Sequence, residues 1–283
     1  MNEMQMSEIP MKKMPMIDAH VHLDKIERSR IASFISDVPG LAGMIAVSSN
    51  LPSCRITEEL HRWQPDRIFP AYGYHPEQAV PSAGELEALL EWMAARRHSM
   101  IAIGEVGLPY YMRQEKQEKG EPFDLAPYLD LLERFVSLAA EWNLPIVLHA
   151  VYDDAGPVCD LLERYGVQKA HFHWFKGPET AVRRMIESGY YISVTPDIVY
   201  EPEIRELAGR YPLERMMIET DGPWPFEGPF AGKETHPGMM AHAIRCLAEI
   251  KGLAPEETAR ILYENTVRFY QLPLAASRHG TQG

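Results

Sequence analysis

Cysteine is scarce in this chain: Cys54, Cys159 and Cys246 are scattered and odd in number. That leaves neither a disulfide framework nor a thiolate zinc site, and it suits a reducing, cytoplasmic setting. Long apolar runs are missing. None approaches the ~20 residues that a membrane-spanning helix needs, so no membrane association is expected. The Met-rich start, residues 1–15, lacks the apolar stretch of a signal peptide and reads as a flexible N-terminal extension. Positive charge is short as well. With 28 Lys and Arg against 40 Asp and Glu, the net charge is −12. This argues against a long duplex-DNA footprint, because phosphate contacts need cations. It still permits a grip on one strand end by a few local cations. No solenoid-type repeat is present.

What the chain does have is 283 residues, 46% of them hydrophobic, which is enough for a large core. It also has the stretch Asp18-Ala19-His20-Val21-His22-Leu23-Asp24. Side chains alternate along an extended strand, so His20 and His22 point the same way. Two imidazoles on one face hold a divalent cation when further ligands arrive from elsewhere. A lone His-x-His is a weak signal. Four more ligand-type residues strengthen it, each closing its own short apolar run: Glu105, His149, His173 and Asp221.

The apolar runs number eight: 16–22, 43–48, 68–74, 101–108, 145–149, 170–175, 191–195 and 216–221. Helical patterns lie between them, at 25–36, 56–63, 86–93, 128–142, 158–165, 179–187 and 203–210. This alternation predicts an α/β fold, a (β/α)8 TIM barrel of parallel strands over residues 16–272. The charged connection 109–127 is expected to be a solvated loop. Residues 222–238, rich in Pro, Gly and aromatics, are expected to form a long loop and lid. Helices at 239–250 and 255–270 close the chain, and 273–283 is expected to be a flexible tail.

In such barrels the site lies at the C-terminal ends of the strands. His20, His22, Glu105, His149, His173 and Asp221 all map there. Six ligands are too many for one tetrahedral zinc and suit two ions sharing a carboxylate. Glu105 comes from the middle of the barrel order and can lie between them. A bridging carboxylate and a bridging hydroxide would offset the repulsion of two cations, which lower the pKa of water toward ~7. Asp221 can bind one ion with one oxygen and accept the water's proton with the other. Glu105 and Asp221 are therefore the candidate catalytic residues. Zn, Mn, Ni and Mg all remain open as the metal.

Seven motifs in order resemble the TatD-type metal-dependent DNases, a branch of the amidohydrolase-like barrels. They are Asp18-Ala-His-Val-His-Leu-Asp24, Gly73-Tyr-His-Pro76, Ala102-Ile-Gly-Glu-Val-Gly-Leu108, Leu144-Pro-Ile-Val-Leu-His149, His173-Trp-Phe-Lys-Gly177, Ile218-Glu-Thr-Asp-Gly-Pro223 and Asn265-Thr-Val-Arg-Phe-Tyr270. The resemblance implies the eight-stranded α/β barrel and metal-dependent phosphodiester hydrolysis on DNA. It also implies that His20, His22 and Asp221 hold one ion, that His149 and His173 hold the other, and that Glu105 bridges them. Four positions depart from the family pattern. Pro109 stands for the usual Asp, Ala150-Val151 for Ser-Arg, Gly222 for Ser, and Thr235-His236-Pro237 for Asn-Glu-Pro. These changes surround the substrate rather than the ions.

Other residues admit two readings. His75 either touches a substrate phosphate or packs on Pro76 at the rim. Lys176 follows the sixth strand, where an anionic substrate would be met; the alternative is a solvated lysine. His171 reads as a hydrogen-bonded core histidine and Asp24 as a helix cap. Trp224, Phe226 and Phe230 either stack bases or anchor their loop. The expected function is a two-metal phosphodiesterase, a deoxyribonuclease acting on single-stranded nucleic acid ends, with no obligate protein partner. The rivals are hydrolysis of a small-molecule amide, lactone or phosphomonoester on the same site, and a non-catalytic binding module.

Overall fold

The computed structural model describes residues 14–273. Eight strands form one sheet in sequential order, each parallel to the next. They are β1 (Met16–Val21), β2 (Leu41–Ala46), β3 (Ile68–Tyr72), β4 (Ala102–Gly107), β5 (Ile146–His149), β6 (Ala170–Phe172), β7 (Tyr191–Val194) and β8 (Met216–Ile218). The helices are α1 (Arg28–Asp37), α2 (Leu51–Trp63), α3 (Ala83–Ala94), α4 (Tyr110–Glu118), α5 (Ala126–Trp142), α6 (Ala155–Arg164), α7 (Glu179–Glu187), α8 (Pro202–Arg210), α9 (Met240–Lys251) and α10 (Pro255–Tyr270). β1 lies against β8. Near the end of β1, the Asp221 N–H donates to the His20 carbonyl at 3.0 Å and the His22 N–H to the Gly222 carbonyl at 2.8 Å. The sheet is thus the expected (β/α)8 barrel, sealed at residues of the candidate site.

β1 and β4 are buried along their whole length, which is why these strands read as apolar runs instead of alternating ones. One apolar layer fills the barrel: Ile17, Ala19, Ile45, Phe69, Val147 and Met217 pack there with Phe269 and Tyr270 of α10. A larger layer fills the space between sheet and helices. β4 and β5 approach closely because two glycines allow it. A Cβ on Gly104 would sit 2.6 Å from that of Val147, and one on Gly107 would sit 1.9 Å from the His149 carbonyl oxygen. That approach brings Glu105 and His149 side by side.

Several expectations are corrected. The connection 109–127 is not all loop, since α4 occupies Tyr110–Glu118. No residue of α4 is buried, so it has no apolar stripe to read. Its start is held instead by Glu77, whose carboxylate accepts the N–H groups of Tyr111 (2.8 Å) and Met112 (2.7 Å). Asp24 does not cap α1; it lies in a 3-10 turn at Leu23–Lys25, and Glu27 precedes the helix. β6 and β8 end three residues before the expected Phe175 and Asp221, so His173 and Asp221 project from the turns beyond. Of the extension expected over 1–15, residues 1–13 lie outside the described residues, while Met14 is buried in the layer between sheet and helices. The expected tail, 273–283, lies outside them too, apart from Pro273. Among the described residues no helix is long and apolar enough to cross a membrane.

Candidate metal centre

The six ligand-type side chains converge at the C-terminal mouth of the barrel. Within β1 the register shifts between Asp18 and Val21, the stretch that holds His20, and His20 and His22 face one point. Both Nε2 atoms lie 3.2 Å from Glu105 Oε2 and 3.4 Å from Asp221 Oδ1. On the other side, His173 Nε2 lies 2.7 Å and His149 Nδ1 3.1 Å from Glu105 Oε1, with those two nitrogens 3.4 Å apart. The two oxygens of Glu105 are therefore divided between two sets of ligands. His20, His22 and Asp221 form one cluster of convergent donor atoms, and Glu105, His149 and His173 form another.

The donor set fits divalent cations. His20 Nε2, Glu105 Oε2 and Asp221 Oδ1 are buried and have no hydrogen-bond partner, yet all three aim at one place. A buried polar atom left unpaired is costly, and a cation among these lone pairs removes the cost. Asp221 is held for this role by its backbone. Its φ is +48°, in the left-handed region that a non-glycine residue adopts only when its surroundings enforce it. The bond from its N–H to His20 is part of that enforcement.

Charge coupling in the cluster is strong. Burial pushes the Glu105 carboxyl up, but His75, His173 and His20 around it hold it well below the usual carboxylate range. Asp221 is likewise lowered, by the imidazoles of His22, His20 and His173 around it, against the opposing effect of burial. Burial opposes charging of His22, yet the Asp221 and Glu105 carboxylates beside its ring raise it to about 9. His149 and His173 are also raised against burial, chiefly by Glu105. Burial and the neighbouring His173 lower His20. A proton on a raised histidine must leave before its lone pair binds a cation. Apparent zinc affinity is therefore expected to increase from pH 6 to pH 8, by about tenfold per pH unit for each proton displaced. Calorimetric titration at several pH values checks this, and a pH-independent affinity would contradict it.

A second ring of polar groups fixes the first. Asp18, fully buried, accepts the Thr220 N–H at 2.9 Å and its hydroxyl at 2.5 Å, tying β1 to the segment after β8. Burial raises the Asp18 carboxyl to about 7. Glu219 accepts the Trp174 N–H at 2.8 Å and lies 3.6 Å from His173 Nδ1. Glu77 lies 3.2 Å from His149 Nε2. No role was legible for these three acids. Asp18 and Glu219 sit inside ligand motifs, two residues before His20 and Asp221, but that spacing alone assigns them nothing.

A cavity of about 700 Å³ opens over the cluster. His75, Glu77, Glu105, His149, His173 and Asp221 line its floor, and Tyr111, Met112, Glu115, Val151, Trp174, Trp224 and Pro225 line the rest. His75 belongs to the site: its Nε2 lies 3.4 Å from Glu105 Oε1, and its Nδ1 accepts the Glu77 N–H at 3.1 Å. Lys176 does not line the cavity. Its ammonium lies 3.7 Å from the buried Asp197. His171 is a core histidine, bonded to the Tyr270 hydroxyl (2.7 Å) and to Ser193 (2.6 Å). The aromatic loop divides. Phe226 and Phe230 are buried with Met239, whereas Trp224 is 46% exposed at the cavity mouth. His236 takes no part in the wall; its ring accepts the Gly238 N–H and packs on Phe34.

Comparison with known proteins identifies a family, relatives and a shared fold. The family described as TatD related DNase matches residues 17–271. A relative from Haemophilus influenzae, named an uncharacterized metal-dependent hydrolase, is 37% identical over 257 residues, spanning 91% of this chain and 100% of its own. The Mycobacterium tuberculosis protein named uncharacterized metal-dependent hydrolase TatD is 26% identical over 265 residues, with 91% of this chain and 98% of its own covered. Among solved structures, the Escherichia coli TatD homologue YJJV has the same fold, with a TM-score of 0.74 and 24% identity over 91% of this chain and 98% of its own.

Proposed function

Because this chain belongs to the TatD-related DNase family of metal-dependent hydrolases, we propose that it cleaves phosphodiester bonds at unpaired nucleic acid ends, with two divalent cations in its barrel mouth. The observation that carries this reading is the division of Glu105, one oxygen toward His20 and His22 and the other toward His149 and His173. When bound, such ions supply Lewis acidity and lower the pKa of water.

The chain's own groups account for the rest. Asp221 lines the cavity and is held below the usual carboxylate range, so it is charged at neutral pH and available to accept the proton of an attacking water. His75 accepts the Glu77 N–H on Nδ1, so its neutral ring carries its proton on Nε2. That N–H faces the cluster and suits an anionic substrate oxygen. Burial lowers the His75 pKa and keeps the ring neutral. Tyr111 and Trp224, 53% and 46% exposed, offer faces on which an unpaired base stacks.

One observation favours a second reading, hydrolysis of a small ester, lactone, amide or phosphomonoester. The cavity wall has no Lys or Arg among its described residues. Lys176 pairs with Asp197, and Arg113 pairs with Asp154 at 2.7 Å. Within the cavity a polyanion would thus be held by the ions and His75, while outside its wall Lys25 Nζ lies 4.9 Å over the Trp224 ring. End-labelled single-stranded and blunt duplex oligonucleotides, offered with Mg, Mn or Zn, separate the two. Release of nucleotides from the single strand, with little from the duplex, is expected. No cleavage of either, alongside turnover of a small ester or phosphomonoester by the same protein, would replace the first reading with the second.

A further inference from the structure

We propose that Glu77 is a positioning residue that assigns opposite roles to two imidazoles of the site, a ligand role to His149 and a donor role to His75, and ties both to α4. This rests on the two-cation reading above.

The assignment follows from what each atom of Glu77 meets. Its Oε1 lies 3.2 Å from His149 Nε2. His149 lies between two carboxylates that only accept, Glu77 Oε1 at its Nε2 and Glu105 Oε1 at its Nδ1. A cation shared with Glu105 and His173 would take the Nδ1 lone pair, which leaves the one proton of the neutral ring on Nε2, donated to Glu77. Its backbone N–H, by contrast, donates to His75 Nδ1 at 3.1 Å. That bond uses the Nδ1 lone pair, so the neutral His75 ring carries its proton on the nitrogen that faces the cluster. A ring so protonated donates to an anion and does not ligate a cation. One residue thus selects Nε2–H in both rings. Because it meets them from opposite sides, one ring turns a lone pair into the site and the other turns a proton.

The same carboxylate accepts the N–H groups of Tyr111 (2.8 Å) and Met112 (2.7 Å) at the first turn of α4. α4 has no buried side chain of its own and no other side-chain cap. Tyr111, Met112 and Glu115 of this helix form one wall of the cavity. The wall is therefore fastened to His149 through Glu77. An outer-shell carboxylate also raises the basicity of the imidazole it holds, and losing one typically weakens metal binding by about 10–100-fold.

The test uses the full chain loaded with zinc. Nitrogen-15 NMR of the unmodified protein should show His149 with Nε2–H and a metal-bound Nδ1, and His75 with Nε2–H. Zinc titration should then show Glu77→Leu keeping one ion at its original affinity while the other weakens by about 10–100-fold. Glu77→Gln retains an oxygen for His149 and should weaken that ion by a smaller factor. A plain helix cap would disturb α4 without selecting one ion. His149 bound through Nε2, or both ions unchanged or equally weakened in Glu77→Leu, would overturn the proposal. Should Glu77→Leu fail to fold, the ring assignments in the unmodified protein decide it. An unmodified protein that binds one ion would end the two-cation reading, and the His149 tautomer would still decide the role of Glu77.

Discussion

Asp221→Asn is expected to reduce turnover by about 10² or more while the barrel stays folded, the usual scale for losing a general base. The carboxylate aims Oδ1 at His20 and His22 and lines the cavity, so it is both ligand and proton acceptor in the proposed chemistry. Asparagine keeps the size and one weak oxygen donor but has no basic lone pair to take a proton. The fold should survive, because Asp221 lies beyond β8 at the rim, and its backbone bond to His20 does not involve the side chain. Rates measured at saturating metal, with circular dichroism as a folding control, check this. A near-normal rate under those conditions would remove Asp221 as the base and leave it only a ligand.

Glu105→Gln should be more severe. Glu105 is fully buried, and five imidazoles surround it: His20 and His22 at 3.2 Å, His173 at 2.7 Å, His149 at 3.1 Å and His75 at 3.4 Å. Glutamine divides what the carboxylate unites. Its oxygen still serves one cluster, but its NH₂ turns donor hydrogens toward the other, where a cation would sit. Metal content should fall from about two ions per chain to fewer than one, with affinity dropping by more than the roughly 10–100-fold seen for outer-shell partners. Turnover should fall by ~10³ or more, since activation of water and ligation of both ions go together. Elemental analysis after dialysis reads the first effect. Two ions retained in Glu105→Gln would show that the clusters are held independently and would remove the bridge.

The barrel and the six ligand-type residues that converge at its mouth were legible because both signals are local. A buried parallel strand is an unbroken apolar run, and each of the six is a His, Glu or Asp within or close after the C-terminal half of such a run, as with Val147-Leu148-His149. The parts that were not legible depend on partners far away in the chain. α4 has no buried face, and its cap comes from Glu77, 34 residues before Tyr111. Lys176 sits where an anion would be met, but the buried Asp197 draws it aside, a pairing that spacing does not reveal. His75 and His149 carry no mark of which nitrogen is protonated. That depends on one backbone N–H and one carboxylate meeting them in space. Trp224 and Phe226 are two residues apart, yet one is exposed at the mouth and the other buried, because the latter meets Trp174 and Phe230.

The seam of the barrel has a consequence for folding. β1 and β8 meet through contacts as distant as Asp18 with Thr220, 202 positions apart. Bringing such remote segments together costs loop-closure entropy, so the seam is expected to form late in assembly. His20, His22 and Asp221 straddle that seam. An ion held by all three would be a fastener between segments about 200 residues apart, and it would bind only a chain in which those segments have already met. By mass action it favours the closed sheet over every opened form. A centre that would serve as chemical machinery would thus also be a clasp of the barrel, and removing metal with a chelator is expected to lower the thermal stability of the fold.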